Sequence, residues 1–109
     1  RAENAGINPS MREAFDIAVA RAVSETRVLV EYLLPLVKLG GSALLYKGES
    51  CEQELAAAKN AIKVLGGELK EIKKFKIGEN GRSLILIKKV KITPEGYPRK
   101  EGTPSRKPL

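Results

Sequence analysis

Apolar residues recur with two different spacings along the first part of the chain. Residues 15–20 form a short run rich in small and β-branched residues, which is typical of a strand covered on both faces of a parallel sheet. From residue 24 to 39, leucine and valine recur every three to four positions. This spacing predicts a helix, whose last turn Pro35 should bend and which Gly40 and Gly41 should end.

A second strand and a second helix are predicted next. Residues 42–47 have an apolar centre, so we expect another buried strand and a right-handed strand–helix–strand unit. Ser50 and Gln53 form a capping box, and apolar positions at helical spacing continue to Gly66. Before the first strand, the Asn-Pro pair at positions 8 and 9 predicts a short helix over 9–14.

The next segment has the pattern of a β-hairpin. Two strand-like stretches, 69–77 and 84–92, are joined by the turn sequence Gly-Glu-Asn-Gly at 78–81. Residues 84–87 are apolar throughout, which indicates an interior strand, whereas lysines alternate with apolar residues in the first stretch, as at a protected sheet edge. The fold class is therefore α/β, with two parallel strands and crossover helices followed by an antiparallel hairpin.

The chain changes character after residue 92. Residues 93–109 contain four of the six prolines and show no apolar periodicity. We expect this segment to be an extended, basic, proline-rich tail. The predicted organisation is thus a folded region over residues 1–92 and a tail over 93–109.

Positive charge is confined to the second part of the chain. Residues 1–67 carry eight basic and eight acidic residues, whereas residues 68–109 carry twelve and five, which accounts for the whole net charge of +7. Such a distribution is typical of a nucleic-acid-binding protein. Candidate RNA-binding residues are Lys47, Tyr97, Arg99, Lys100, Arg106 and Lys107, with Tyr97 placed to stack on a base.

Simpler interpretations compete with some of these assignments. Lys47 fits a residue that caps the sheet as well as one that contacts phosphate. Lysines on an edge strand also protect against aggregation, which accounts equally well for the basic hairpin residues. These are Lys70, Lys73, Lys74, Lys76, Arg82, Lys88, Lys89 and Lys91.

Composition excludes several kinds of chemistry. The single Cys51 rules out an internal disulfide framework, and the absence of histidine rules out a His-dependent triad, an imidazole base and a histidine-ligated zinc site. No apolar run approaches the roughly 18 residues of a membrane span. We therefore expect a soluble, cytoplasmic protein without a metal, whose chemistry, if any, is borne by a cofactor. Ligands of open α/β sheets bind at the carboxyl ends of the parallel strands, so Arg21 is a candidate there, although a surface ion pair would explain it equally well.

Several segments together resemble the RsmG family, also called GidB. They include Arg1-Ala2-Glu3, Ala20-Arg21-Ala22-Val23, the Leu-Leu-Pro-Leu-Val-Lys run at 33–38, and Tyr97-Pro98-Arg99-Lys100. The resemblance covers the whole chain and is most specific in residues 93–109. It implies the C-terminal half of a Rossmann-like class I methyltransferase that uses S-adenosylmethionine to methylate N7 of guanine 527 in 16S rRNA.

The resemblance also implies site residues and a missing part. Ala2 and Glu3 would contact the adenine side of the cofactor, and Arg21 is the other cofactor-binding position. The family's glycine-rich loop and ribose-binding acidic residue would precede Arg1, so we expect an absent N-terminal half and a fragment that is inactive alone. The implied partner is 16S rRNA or the small ribosomal subunit.

Two other functions remain compatible with the sequence. The chain fits a non-enzymatic basic module that binds RNA without a cofactor. It also fits the C-terminal half of a methyltransferase for another substrate, in which the basic tail is incidental. A glycine-rich loop after an apolar strand in the upstream coding sequence would favour an enzyme over the binding module.

Overall fold

Four strands form one mixed sheet in the computed structural model of the protein, which describes residues 11–21, 26–48, 52–99 and 103–109. The strands are β1 (Phe15–Arg21), β2 (Val37–Lys47), β3 (Gly67–Ile77) and β4 (Asn80–Lys89). The helices are α1 (Thr26–Leu33), α2 (Glu52–Val64) and the single turn α3 (Thr103–Arg106). The sheet order is β1-β2-β4-β3.

The strand directions agree with the sequence prediction. β1 and β2 pair in parallel and are connected through α1, so the predicted strand–helix–strand unit is confirmed. β4 is antiparallel to both β2 and β3. The second hairpin strand is therefore interior and the lysine-rich first strand is the edge, as its alternating pattern predicted.

The first helix is shorter than its leucine spacing suggested. α1 ends at Leu33, and residues Leu34–Leu36 form a short 3-10 turn with Pro35 near its start. Proline has no N–H to donate to the preceding turn, so the chain leaves the helix there and enters β2 at Val37. The prediction of helix to residue 39 is therefore wrong, and β2 begins five residues before the predicted position 42.

Gly40 and Gly41 lie inside β2 rather than at the end of a helix. The pairing with β1 shifts between Phe15–Val37 and Ile17–Ser42, so β2 is irregular at this point. Gly40 has φ of +86°, and a Cβ on Gly41 would lie 2.5 Å from the main-chain oxygen of Asp16. Glycine is thus required here because the two strands approach closely.

Other predicted boundaries also shift. Residues 11–13 form a turn instead of the predicted helix over 9–14, whose first two residues lie outside the described part. β4 starts at Asn80 and ends at Lys89, earlier than the predicted 84–92. The hairpin turn is consequently only two residues long, Gly78 and Glu79.

The core lies on one face of the sheet. Helices α1 and α2 pack there against alternate strand residues, including Ala43, Leu45, Ile85 and Ile87, all completely buried. On the opposite face Ile17 and Val19 are 57 % and 56 % exposed. Within the described residues, β1 is covered on one face only, which contradicts the prediction for that strand.

Candidate functional site

The carboxyl ends of the parallel strands meet at one edge of the sheet. Arg21 ends β1 and pairs with Tyr46, the next-to-last residue of β2. A groove of about 630 Å³ opens beside them, lined by Arg21, Tyr46, Lys47, Gly48, Phe75, Ile77 and Arg82. Open α/β sheets bind ligands at this edge, so the structure places Arg21 where the sequence predicted a ligand contact.

Arg21 is exposed at the groove. Among the ion pairs between described residues, none involves Arg21. Its guanidinium therefore offers hydrogen-bond donors to a ligand at this edge. Ala2 and Glu3, the other predicted cofactor contacts, lie outside the described residues, so only Arg21 of this set has a described position.

Lys47 has contacts that differ from those expected of an RNA-binding lysine. Its side chain is buried, and its Nζ lies 2.6 Å from Oε1 of Glu54 in α2. The same carboxylate oxygen accepts a hydrogen bond of 3.1 Å from the main-chain N–H of Thr26 in α1. Lys47 and Glu54 thus join β2 to both helices directly below the groove, which agrees with the simpler interpretation of Lys47 as a cap of the sheet.

The Glu54 carboxylate is stabilised in its charged form. Burial alone would raise its pKa, but the hydrogen bonds from Lys47 and Thr26, together with the charge of Lys47, outweigh burial and lower the pKa below its ordinary value. The ion pair is therefore part of the support for this edge of the sheet.

Lys89 is a structural residue and not part of the basic surface. Its side chain is completely buried, and its Nζ donates to the carbonyl oxygens of Leu34 at 2.6 Å and Val37 at 2.9 Å. Oε2 of Glu13 lies 3.1 Å from the same nitrogen. Burial lowers the pKa of Lys89, and the Glu13 carboxylate opposes that shift. The sequence-based grouping of Lys89 with the RNA-facing lysines is wrong, because its charge is used to satisfy the end of the 3-10 turn.

The predicted tail is bound to the folded region. The Thr93 hydroxyl donates to the carbonyl of Leu65 at 2.7 Å, and Arg12 donates to the main-chain oxygens of Thr93, Pro94 and Tyr97. Tyr97 and Leu109 pack against the core. Residues 93–99 and 103–109 therefore form a layer on the domain, with one helical turn, rather than a free arm.

Arg99 is the main anchor of this layer. Its Nη2 lies 2.8 Å from Oε1 of Glu31, a completely buried carboxylate in α1, and its Nη2 also donates to the carbonyl of Lys107 at 2.6 Å. The hydrogen bond to Glu31 raises the pKa of Arg99. The guanidinium of Arg99 is thus already paired, like the ammonium of Lys47, whereas Arg106 and Lys107 are exposed.

Arg106 and Lys107 are exposed cations. Tyr97 is half-buried, and Lys100 lies outside the described residues. The tail therefore brings exposed charge to a surface near α1, on the helical side of the sheet. This is separate from the groove that Arg21 lines.

Most of the groove residues are not among the predicted site residues. Tyr46, Phe75 and Arg82 line the groove with Arg21, but the sequence pattern places Phe75 only on the edge strand and Arg82 only among the basic hairpin residues. Their proximity follows from the two-residue turn at 78–79, which sets Phe75 directly opposite Arg82. Recognising that shorter turn in the sequence would have placed them together.

The described ranges contain neither a cluster of metal ligands nor a membrane-spanning helix. No cluster of three or more His, Cys, Asp or Glu residues is arranged to hold a metal ion there. In the same ranges, no helix combines the length and apolar character that a membrane span requires.

Comparison with known proteins identifies relatives of the entire chain. The profile of the family GidB, described as rRNA small subunit methyltransferase G, matches residues 1–85. "Ribosomal RNA small subunit methyltransferase G" of Symbiobacterium thermophilum is 48% identical over 111 aligned residues, covering 100% of this chain and 45% of that protein. The protein of the same name from Oceanobacillus iheyensis is 50% identical, covering 100% of the chain and 47% of that protein.

The chain spans a little under half the length of these curated relatives. The Lactobacillus johnsonii protein of the same name is 48% identical, and the alignment covers 100% of this chain and 46% of that protein. The family profile covers more than half of the chain and therefore establishes its membership. This chain belongs to the GidB family, whose description is rRNA small subunit methyltransferase G.

Proposed function

We propose that the complete protein transfers a methyl group from S-adenosylmethionine to N7 of guanine 527 in 16S rRNA. This chain would supply the C-terminal half of a Rossmann-like methyltransferase sheet. The observation that carries the proposal is the match of the entire chain to relatives named for rRNA small subunit methylation. The parallel β1–β2 pair, with Arg21 at its ligand edge, is consistent with that role.

Ala2, Glu3 and Arg21 are the residues proposed to hold the cofactor. The cofactor supplies an electrophilic methyl group on a cationic sulfur. Arg21 fits a binding role because its guanidinium is exposed at the carboxyl end of β1 and lines the groove. Lys47 and Glu54 keep this edge in place from below, since their ion pair connects β2 to α2.

The proposed reaction requires positioning more than proton transfer. N7 of neutral guanine carries an exposed lone pair, so it attacks a methyl group without first losing a proton. No general base is needed, and the rate enhancement comes from aligning the nucleophile with the methyl group and the sulfur. A chain without histidine is compatible with such chemistry.

The RNA substrate would be held by the basic second part of the chain. Arg106 and Lys107 are exposed and are proposed to bind phosphates together with Lys100, with Tyr97 beside them. Arg99 and Lys47 would contribute indirectly, because their charged groups are paired with Glu31 and Glu54. The proposed partner is 16S rRNA or the small ribosomal subunit, in the cytoplasm.

The cofactor site is proposed to need residues that precede this chain in its relatives. The chain covers 45% of the Symbiobacterium protein, and the family resemblance assigns the glycine-rich loop to the other part. We therefore expect the 109-residue chain alone to bind S-adenosylmethionine weakly and to lack activity. Calorimetry that gave micromolar affinity for the isolated chain would contradict this expectation.

The test uses the full-length protein that contains this chain. Purified protein is incubated with methyl-labelled S-adenosylmethionine and small ribosomal subunits or 16S rRNA that lack the modification. N7-methylguanine is then located by borohydride reduction and aniline cleavage, which is expected to cut the RNA at guanine 527. Label at another nucleotide would support a methyltransferase for a different target, and RNA binding without label would support the non-enzymatic module.

A further inference from the structure

The tip of the β3–β4 hairpin extends beyond the ligand edge of the parallel strands. β2 ends at Lys47, which pairs with Ser83 of β4. Residues 80–82 of β4 and their partners 75–77 of β3 therefore project past the carboxyl end of β2. The hairpin tip thus forms one wall of the groove in which Arg21 lies.

Aromatic rings and guanidinium groups meet in this groove. Phe75 and Arg82 are directly opposite each other in the β3–β4 ladder, so their side chains lie next to each other on one face. Arg21 and Tyr46 are paired in the same way on the other side of the groove. The groove therefore has an aromatic and an arginine on each wall.

Both rings are exposed in the described part of the chain. Tyr46 is 46 % exposed and Phe75 is 38 % exposed. Within the described part of the chain, the Arg82 guanidinium donates only to the carbonyl of its neighbour Gly81, at 2.9 Å. Arg82 thus has N–H groups that remain available to an incoming oxygen or ring.

These side-chain types have a specific chemical use in combination. Flat aromatic rings stack on nucleobases, whereas arginine binds phosphate and also stacks on bases through its planar guanidinium. An edge strand protected against aggregation needs exposed lysines, but it does not need a phenylalanine beside an arginine. Protection of the edge strand against aggregation therefore does not explain why Phe75 and Arg82 lie side by side in the groove.

We propose that the Phe75–Arg82 wall of the groove binds an unpaired nucleobase of single-stranded RNA next to the methylated nucleotide. Phe75 stacks on the base and Arg82 contacts its phosphate, while Arg21 on the opposite wall keeps its proposed role in holding the cofactor. The inference rests on the proposed function, because it assigns the occupant as a flanking nucleotide of the RNA substrate. A flanking base fits better than the target base, since the rings are on an open surface and the target must be held in line with the methyl donor.

The test measures stacking directly in the full-length protein. The probe is a single-stranded RNA oligonucleotide of the target loop in which each base flanking the target guanine is replaced in turn by 2-aminopurine. Stacking on Phe75 is expected to quench the fluorescence of one substituted position. Phe75→Leu should abolish the quenching and weaken binding roughly 5- to 150-fold, the effect of losing one stacked base. Phe75→Tyr should preserve both.

Phe15 provides a matched control. It lies in β1 and is 42 % exposed, but it does not line the groove. Phe15→Leu should therefore leave quenching and affinity unchanged. An equal loss in Phe15→Leu and Phe75→Leu would overturn the proposal, because it would indicate a general effect of removing an exposed ring.

Arg82→Gln tests the groove without changing its apolar wall. If Arg82 contacts a phosphate, the slope of log K against log salt should fall by about 0.7, while Phe75→Leu should leave that slope unchanged. Wild-type affinity in both variants would overturn the inference. If guanine 527 is methylated and both variants bind RNA as the unaltered protein does, the proposed function stands and the groove inference fails. If the flanking base stacks on Phe75 but guanine 527 is not methylated, the groove inference stands and the proposed function fails.

Discussion

Arg99 and Glu31 form a two-pronged ion pair at the boundary between the tail and helix α1. Nε and Nη2 of Arg99 lie 3.0 Å and 2.8 Å from the two carboxylate oxygens, and the main-chain N–H of Arg99 adds a third bond of 2.8 Å. Glu31 is completely buried. A buried carboxylate without these donors would be strongly unfavourable, so the position of the tail and the stability of α1 are coupled.

Arg99→Ala is expected to destabilise the protein by about 3 kcal/mol, because it leaves the Glu31 charge buried and unpaired. Urea unfolding of the full-length protein measures the change. The double variant Arg99→Ala with Glu31→Gln should recover part of the loss, since the remaining side chain is neutral. A double variant that is less stable than Arg99→Ala would contradict this account.

Lys89→Met is expected to cost about 2 to 4 kcal/mol, because it removes the donor for two buried carbonyls and for Glu13. Lys91→Met is the control: this lysine is two positions away and exposed, and its loss should change stability by less than about 0.5 kcal/mol. Unfolding midpoints in urea compare the two variants. Equal midpoints would show that the ammonium of Lys89 does not satisfy the 3-10 turn.

The Glu54–Lys47 ion pair should make the free energy of unfolding depend on pH in the acidic range. The pKa of Glu54 is lower in the folded protein than its ordinary value of 4.5, so the unfolded chain takes up the proton first. The stabilisation is complete above that ordinary value and is lost as pH falls through the lower folded pKa. Glu54→Gln should flatten the dependence in this window, as measured by urea unfolding from pH 6 to about 2.5. Glu68→Gln, in an exposed pair with Lys70, should leave the dependence nearly unchanged.

Arg21→Ala is expected to reduce methyl transfer by at least about tenfold at low cofactor concentration, the effect of losing one charged hydrogen bond. Calorimetry should show weaker binding of S-adenosylmethionine. Lys38→Ala is a suitable control because Lys38 lies near the opposite end of the strands, in an exposed pair with Asp16. Unchanged turnover in Arg21→Ala would remove Arg21 from the cofactor site.

Arg106 and Lys107 should contribute to RNA binding through charge alone. Replacing both by Gln is expected to reduce the slope of log K against log salt by about 1.4 for a single strand, that is 0.7 for each phosphate contact. Substitution is preferable to deletion of residues 93–109, because Thr93 and Arg99 in that segment hold the fold together. A slope equal to that of the unaltered protein would leave these two cations without a role in binding.

Local sequence patterns predicted those strands whose positions follow from the alternation of apolar and polar residues. The apolar run before Arg21 and the alternation of lysines near Phe75 were sufficient to assign a parallel strand and an edge strand. The end of α1 was missed because leucine spacing continues through Pro35, although proline prevents the helix from continuing. The period of two in Ser83, Ile85, Ile87 and Lys89 did contain the information that Lys89 faces the core.

The long-range polar contacts could not be predicted in the same way. Arg99 finds Glu31 across 68 positions of sequence, and Lys89 finds the carbonyl of Leu34 across 55. A basic residue in the tail, such as Arg99, has no neighbouring apolar pattern to show that its charge is paired inside the fold. The candidate RNA residues Arg99 and Lys47 were therefore selected by charge, whereas their burial depends on the tertiary structure.

The bonds between Arg12 and the tail also affect when the domain completes folding. Arg12 donates to the carbonyls of Thr93 and Pro94, and Glu13 accepts from the N–H of Thr93, across 80 to 82 positions of sequence. Contacts of such separation slow folding because a long loop must close before they form. During synthesis the contacts of the turn at residues 11–13 form only after residues 93–97 have been made. This region of the molecule is thus completed later than the turn itself is synthesised.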